Sequence, residues 1–309
     1  MTSEDHPDSN RQKTVLVTGA TGYVGSRLVP RILPHYQVRC LVRDPSGLDD
    51  AIRDQVEVVQ GDVMHSHTLA KCLQGVDVAF YLIHGMGYGA DFQKKDRLAA
   101  ENFVAAAKAA GVSRIIYLGG LGDDDDPGLS PHLRSRHEVG QIFLASDIPT
   151  IELRASVVLG PGSLSYELIR SLTQRLPMMI CPKWLATPTQ PIATEDALAY
   201  LQESIELPLE QSEVFEIGSQ DVVTYGGLIK MYAKERNLTR VLISVPLLTP
   251  YLSSLWLGLV TPTSAEVGRH LIEGLRNPTV VRDDKARKIF SHQPMTTQEA
   301  IHQAVLQEA

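Results

Sequence analysis

Cysteine is scarce: the chain has three, Cys40, Cys72 and Cys181, in 309 residues. Their wide spacing excludes a metal knuckle. Cys40 and Cys72 fall in predicted core elements, where a thiol is a small apolar filler in a reducing compartment. Positive charge is in deficit too, with 29 lysines and arginines against 36 aspartates and glutamates and a net charge of −7. That balance excludes nucleic acid as the main partner. The first thirteen residues are polar and lack an apolar signal region, which predicts a cytoplasmic chain. No internal repeat and no extended low-complexity segment is present.

Charge of either sign is missing from 241 to 265. The stretch is long enough to span a bilayer, but Pro246, Pro250 and Pro262 leave only about a dozen residues of clean helix between them. Three readings stay open: a buried or pocket-lining helix, a span, or an interfacial helix. The last would make the chain peripheral to the inner face of a membrane, or dock it on a protein.

What is present is a glycine-punctuated turn. The run 15–17 is apolar and β-branched, as a buried parallel strand requires. It breaks at Gly19, and an apolar stripe follows at Val24, Leu28 and Ile32. Gly19, Gly22 and Gly25 are spaced G-x-x-G-x-x-G between a strand and a helix, the context that gives such a motif meaning. Gly19 permits the tight turn, Gly22 a close approach of the backbone to a diphosphate, and Gly25 a close helix–strand contact. The N–H groups of the first helical turn, at Thr21 to Gly25, then face the phosphates. Pro30 lies within that helix and is expected to kink it.

Strands at 38–42, 56–59, 78–83 and 115–118 alternate with helices over short connections, which predicts an α/β fold with a doubly wound parallel sheet covered on both faces. One helix is expected to be capped by Ser66 and closed by Gly75. A long alanine-rich one is expected to stop at Gly111, and another to open at Ser130-Pro131. Residues 123–126 are four adjacent aspartates without alternating ligand spacing, so they read as a solvated loop and not as a metal site. A sixth strand is expected over 151–159. Beyond Gly162 a helix at 166–175 precedes the proline-rich stretch 176–191, with Met178, Met179 and Trp184, read as a lid or pocket wall. A helix from Thr194 and a late strand at 214–217 follow. Thr263 with Glu266 and Thr296 with Glu299 form two expected capping boxes.

The motifs 18–25, 61–63, 153–162 and 191–197 together resemble an atypical short-chain dehydrogenase/reductase. The likeness is to the NmrA-like, NAD(P)H-binding branch and to bacterial nucleoside-diphosphate-sugar-epimerase-like homologues. It implies a Rossmann-type domain over 13–162 and a smaller, mostly helical C-terminal substrate or partner lobe over 163–309, with about 191–218 returning to the sheet. It also implies a dinucleotide contacted at Gly19, Thr21, Gly22, Tyr23, Val24 and Gly25. Asp62 and Val63 would serve the adenine, and Leu82 and Ile83 the nicotinamide ribose side. At the second strand end an arginine pairs with a 2′-phosphate and an acid with a free hydroxyl; this chain has Arg43 followed by Asp44, which favours NADP over NAD.

Reductases of this superfamily use a serine after the fifth strand and a tyrosine followed four residues later by a lysine. Here those registers hold Gly119-Gly120 and His132 with Arg136. All three standard groups are absent, so whether the chain is an enzyme stays open. His132 titrates near neutrality and is a candidate acid, Arg136 is a fixed cation, and His84 at a strand end is a second candidate acid. Two functions follow. One is a reductase or epimerase acting on an apolar carbonyl substrate. The other is a non-catalytic NADP(H) sensor or assembly factor, as some relatives of this group are.

Overall fold

The computed structural model describes residues 11–83, 91–181, 183–244 and 274–308. Thr14–Thr18 (β1) is buried along its whole length. The chain continues through Gly25–Ile32 (α1), Gln37–Val42 (β2), Asp50–Arg53 (α2), Glu57–Gln60 (β3), Ser66–Leu73 (α3), Val78–Tyr81 (β4), Phe92–Ala110 (α4), Arg114–Gly120 (β5), Pro131–Leu144 (α5) and Thr150–Ala155 (β6). Val158–Leu159 (β7), Leu164–Arg175 (α6), Met178–Cys181 (β8), Pro188–Thr189 (β9), Ile192–Ala193 (β10), Thr194–Glu203 (α7), Glu213–Ile217 (β11), Val223–Thr224 (β12), Tyr225–Glu235 (α8) and Val241–Ser244 (β13) follow. Lys285–Ile289 and Thr297–Leu306 are helices near the C-terminal end.

Seven strands form one parallel sheet in the order β11-β6-β5-β4-β1-β2-β3. Winding reverses between β1 and β4, and in open α/β sheets the crevice beyond the carboxyl ends at such a point is where ligands bind. Val15, Val17 and Phe80 pack on one face with Leu28 and Ile32 of α1 and Tyr200 of α7. Leu16, Tyr81 and Tyr117 pack on the other with Phe103 of α4 and Phe143 of α5. The Tyr81 and Phe143 rings meet edge to face at 4.8 Å. A third core, with Tyr166, Trp184, Tyr225 and Tyr232, joins α6, α8 and the helix Thr297–Leu306.

Local signals act as their chemistry requires. Gly75 and Gly111 end their helices in the left-handed region, at φ 72° and 73°. Ser130 caps α5 with Pro131 in its first turn, and Thr296 with Glu299 is a complete capping box. Elsewhere the structure differs from expectation. Ser66 is the first residue of α3 and not its cap; the cap position is His65, and no side chain caps that helix start. The expected strand 151–159 is two strands, because β7 leaves the main sheet to pair with β10 (Val158 opposite Ile192). The stretch 176–191 is more regular than a lid: β8 pairs in parallel with β13, and β9 pairs antiparallel with β12. α1 ends at Ile32, so the N–H that Pro30 lacks falls in its last turn. Residues 241–244 are strand, not helix. Residues 245–265, with Thr263, lie outside the described residues, as does Glu266. Among the described residues no helix is long and apolar enough to cross a membrane.

Candidate cofactor and active site

The turn after β1 is held by its glycines. Gly19 takes φ 66°, and a Cβ there would stand 2.9 Å from the Leu82 carbonyl oxygen. A Cβ on Gly25 would stand 2.2 Å from the Gly19 oxygen. Gly22 donates its N–H to that same oxygen at 2.9 Å, closing the turn. Thr21 and Gly22 are exposed, and no side chain caps the start of α1. Among the described residues the Tyr23 and Val24 N–H groups have no acceptor. An uncapped helix start beside an open turn suits an anion. Thr18 Oγ1 donates to the Phe80 carbonyl and accepts from Leu82 N–H, each at 3.0 Å, which locks the ends of β1 and β4 together.

Other expected cofactor residues share this edge. Arg43 follows β2, is exposed, and has no side-chain partner among the described residues. The neighbouring Asp44 carboxylate is already engaged, accepting from Ser46 N–H at 2.9 Å and Ser46 Oγ at 2.8 Å, bonds that hold its pKa below the usual range. Asp62 accepts from Met64 N–H at 3.0 Å, and Val63 is buried with its carbonyl on Asn102. Leu82 and Ile83 are half-buried at the β4 end. His84 lies outside the described residues. Tyr23 is braced from its side chain, with its hydroxyl 2.7 Å from Thr194 Oγ1 and the Arg27 guanidinium 3.9 Å over its ring. Burial raises its pKa, against the pull of Thr194 and Arg27.

Beyond the ends of β5 and β6 lies a cavity of about 310 Å³. His132 and Arg136 both line it, one turn apart on α5. The Arg136 guanidinium donates to the Leu118 carbonyl, and the buried Tyr117 hydroxyl donates to the Arg136 carbonyl at 3.0 Å. Met178, Met179 and Trp184 do not line it, contrary to expectation: Met179 and Trp184 are buried and Met178 is exposed. The wall comes instead from 163–165, Tyr225 and Leu275.

Two groups near the cavity were not expected as site residues. Glu152, fully buried on β6, fits a slot between glycines: a Cβ on Gly119 or on Gly140 would stand 2.5 Å from its Oε1. Arg154 donates to Glu152 at 3.0 Å and to Asp124 at 2.7 Å. His137 donates from Nε2 to the Gly120 carbonyl at 2.9 Å, while its Nδ1 lies 2.6 Å from Asp124 without hydrogen-bond alignment. Burial raises the Glu152 pKa against the pull of Arg154. Burial, then Arg154, lowers that of His137 against the pull of Asp124. The aspartates at 123–126 are therefore pinned more than a solvated loop would be, with Asp123 on Arg282 at 2.8 Å and Asp126 on Asn277 at 2.9 Å. The second group is hydroxylic: Ser156, Thr189, Thr279 and Tyr225 meet at the cavity wall.

Comparison with known proteins bears on this edge of the sheet. Residues 19–159 match the NAD(P)H-binding family model. That stretch, just under half of the chain, is similar to NAD(P)H-binding domains. A 3 beta-hydroxysteroid dehydrogenase/Delta 5-->4-isomerase of Mycobacterium tuberculosis is 36% identical over 115 residues, covering 33% of this chain and 30% of that protein. A (4-alkanoyl-5-oxo-2,5-dihydrofuran-3-yl)methyl phosphate reductase of Streptomyces griseus is 31% identical over 165 residues, 51% of this chain and 55% of that one. The chain thus matches 30% to 55% of the length of these curated relatives. The triphenylmethane reductase of Citrobacter sp. has the same fold, with a TM-score of 0.76 at 18% identity over 95% of this chain and 99% of that chain. Its complex with NADP(H) gives 0.75 at 18%, over 94% and 99%. The matched stretch includes the glycine turn, Arg43, Asp62 and the His132–Arg136 helix.

Proposed function

We propose that the chain is an NADPH-dependent reductase of an apolar carbonyl substrate, with 13–162 binding the cofactor and 163–309 completing the substrate site. One observation carries this reading: His132 and Arg136 face a largely apolar cavity at the strand ends next to the glycine turn. The turn fits a dinucleotide diphosphate, since Thr21 and Gly22 are open and no side chain occupies the helix start. Bound NADPH would supply hydride. Arg43 would pair with the 2′-phosphate in a bidentate contact, its neighbour Asp44 being occupied by Ser46. Asp62 and Val63 would flank the adenine, and Leu82 and Ile83 the ribose. His132 would deliver a proton to the substrate oxygen as hydride reaches the carbonyl carbon, leaving an alcohol. Arg136 would hold positive charge beside that oxygen without titrating. The reductase and dehydrogenase names of the relatives, and the NADP(H) complex of the Citrobacter enzyme, support this reading.

A binding-only role for the same site has two observations in its favour: Gly119 and Gly120 offer no side chain to a carbonyl, and the Arg136 guanidinium donates to the Leu118 carbonyl. Titration with NADPH and NADH, followed by NADPH oxidation against apolar ketones and quinones, separates the two. NADPH should bind more tightly than NADH and be oxidised. His132→Ala should lower turnover about 100-fold with NADPH affinity unchanged. Binding without oxidation by any acceptor would favour the binding-only role, and full turnover by the variant would remove His132 from the mechanism.

A further inference from the structure

Four hydroxyls from distant parts of the chain converge on one wall of the cavity. Ser156, in the gap between β6 and β7, lies 2.8 Å from Thr189 Oγ1 and 2.6 Å from Thr279 Oγ1, and the two threonines are 2.9 Å apart. Tyr225 stands beside them: burial raises its pKa, against the pull of the same two threonine hydroxyls. Thr189 is fully buried, while Ser156, Thr279 and Tyr225 line the cavity. Their surroundings are apolar: Val157, Val158 and Leu275 share the lining, and the Trp184 and Tyr225 rings are 6.3 Å apart. Burying hydroxyls there is costly unless each is satisfied.

Counting protons says what the cluster can accept. Each hydroxyl brings one proton and two lone pairs, so after every proton is given to a neighbour an equal number of lone pairs is left over. A ligand O–H is accepted at once. A ligand C=O is met by turning one hydroxyl outward at the loss of one internal bond. A carboxylate would only accept and a guanidinium only donate, whereas a hydroxyl network takes either member of a ketone–alcohol pair. Nothing in the cluster balances a full charge, and among the described lining residues Arg136 is the one fixed charge.

We infer that Ser156, Thr279 and Tyr225 form a docking point for a neutral oxygen, hydroxyl or keto, carried by an apolar ligand. The inference rests on the cavity being the substrate site of the reductase reading. The cluster acts in recognition; proton delivery stays with His132.

Three probes sharing one two-ring body test it in calorimetric titrations of the full chain: tetralone, tetralol and tetralin. Wild type should bind the two oxygenated probes about 3- to 10-fold more tightly than tetralin, the equivalent of one neutral hydrogen bond. In the Ser156→Ala/Tyr225→Phe double variant that ratio should fall to near unity with tetralin affinity unchanged, which also reports an intact cavity. Thr279→Val should lower the ratio on its own, which serves if the double variant does not fold. Equal binding of all three probes by wild type, binding of none, or an oxygen preference that survives the substitutions overturns the inference. NADPH is titrated in parallel: failure of wild type to bind it would sink the reductase reading while leaving the probe ratios as an independent result.

Discussion

Gly119 and Gly120 are glycines for reasons of packing. A side chain at 119 would strike Glu152, and one at 120 would stand 3.1 Å from Arg136 Cδ and 2.9 Å from Leu133 Cδ2. A serine at either position would therefore have to shift the Glu152 side chain or those of Leu133 and Arg136. In the proposed reading, cofactor choice falls to the single side chain of Arg43. Charge-assisted pairing is worth roughly 1.5–3 kcal/mol, so Arg43→Ala should weaken NADPH about 10- to 100-fold and leave NADH nearly unchanged in parallel titrations. Equal loss for both would remove the phosphate role. Gly22 and Gly25 were legible because the atoms that crowd them belong to Gly19, close in sequence. The Ser156–Thr279 contact was not, because it joins positions 123 residues apart.

At the scale of elements, the junction of β5, β6 and α5 depends on buried charge. Glu152 is inaccessible to solvent and Arg154 nearly so. Removing one partner of such a pair strands the other, so Arg154→Ala should cost about 3–5 kcal/mol in urea unfolding. A loss below about 1 kcal/mol would mean that Glu152 is neutral in the fold. His137 joins the same junction, facing Arg154 of β6, Asp124 of the loop and Arg136 of its own helix. Its folded pKa lies below the ordinary histidine value. Its contribution to stability is therefore present above that value and is lost as pH falls through the folded pKa. Between about pH 7 and about pH 5 wild type should lose melting temperature, and His137→Gln, which keeps a donor for Gly120 but does not titrate, should lose less. A parallel decline in both would exclude His137. Capping at Ser130 and the stop at Gly111 could be read from sequence, since both are local. Polar residues on β6 could not: alternation assigns them to an outer face, but the helices cover both faces of this sheet.

For the whole molecule, strand order matters most. The alternation of the first half predicted a doubly wound sheet, and the sheet has seven parallel strands with its switch point beside the glycine turn. β11 comes from far along the chain to extend the sheet at β6. The break after β6 was hidden because 151–159 contains no glycine or proline to mark it; only the pairing of β7 with β10 separates it. That break leaves Ser156 at the cavity and so shapes the cavity wall. The account as a whole depends on a diphosphate resting on the start of α1. Nitrogen-15 amide spectra of the full chain, recorded while NADPH is added, test this directly. The account predicts that the largest shifts fall on the amides of residues 21 to 26, with those of the helix Thr297–Leu306 unmoved. Saturable NADPH binding that leaves residues 21 to 26 unshifted, or no binding at all, would contradict it.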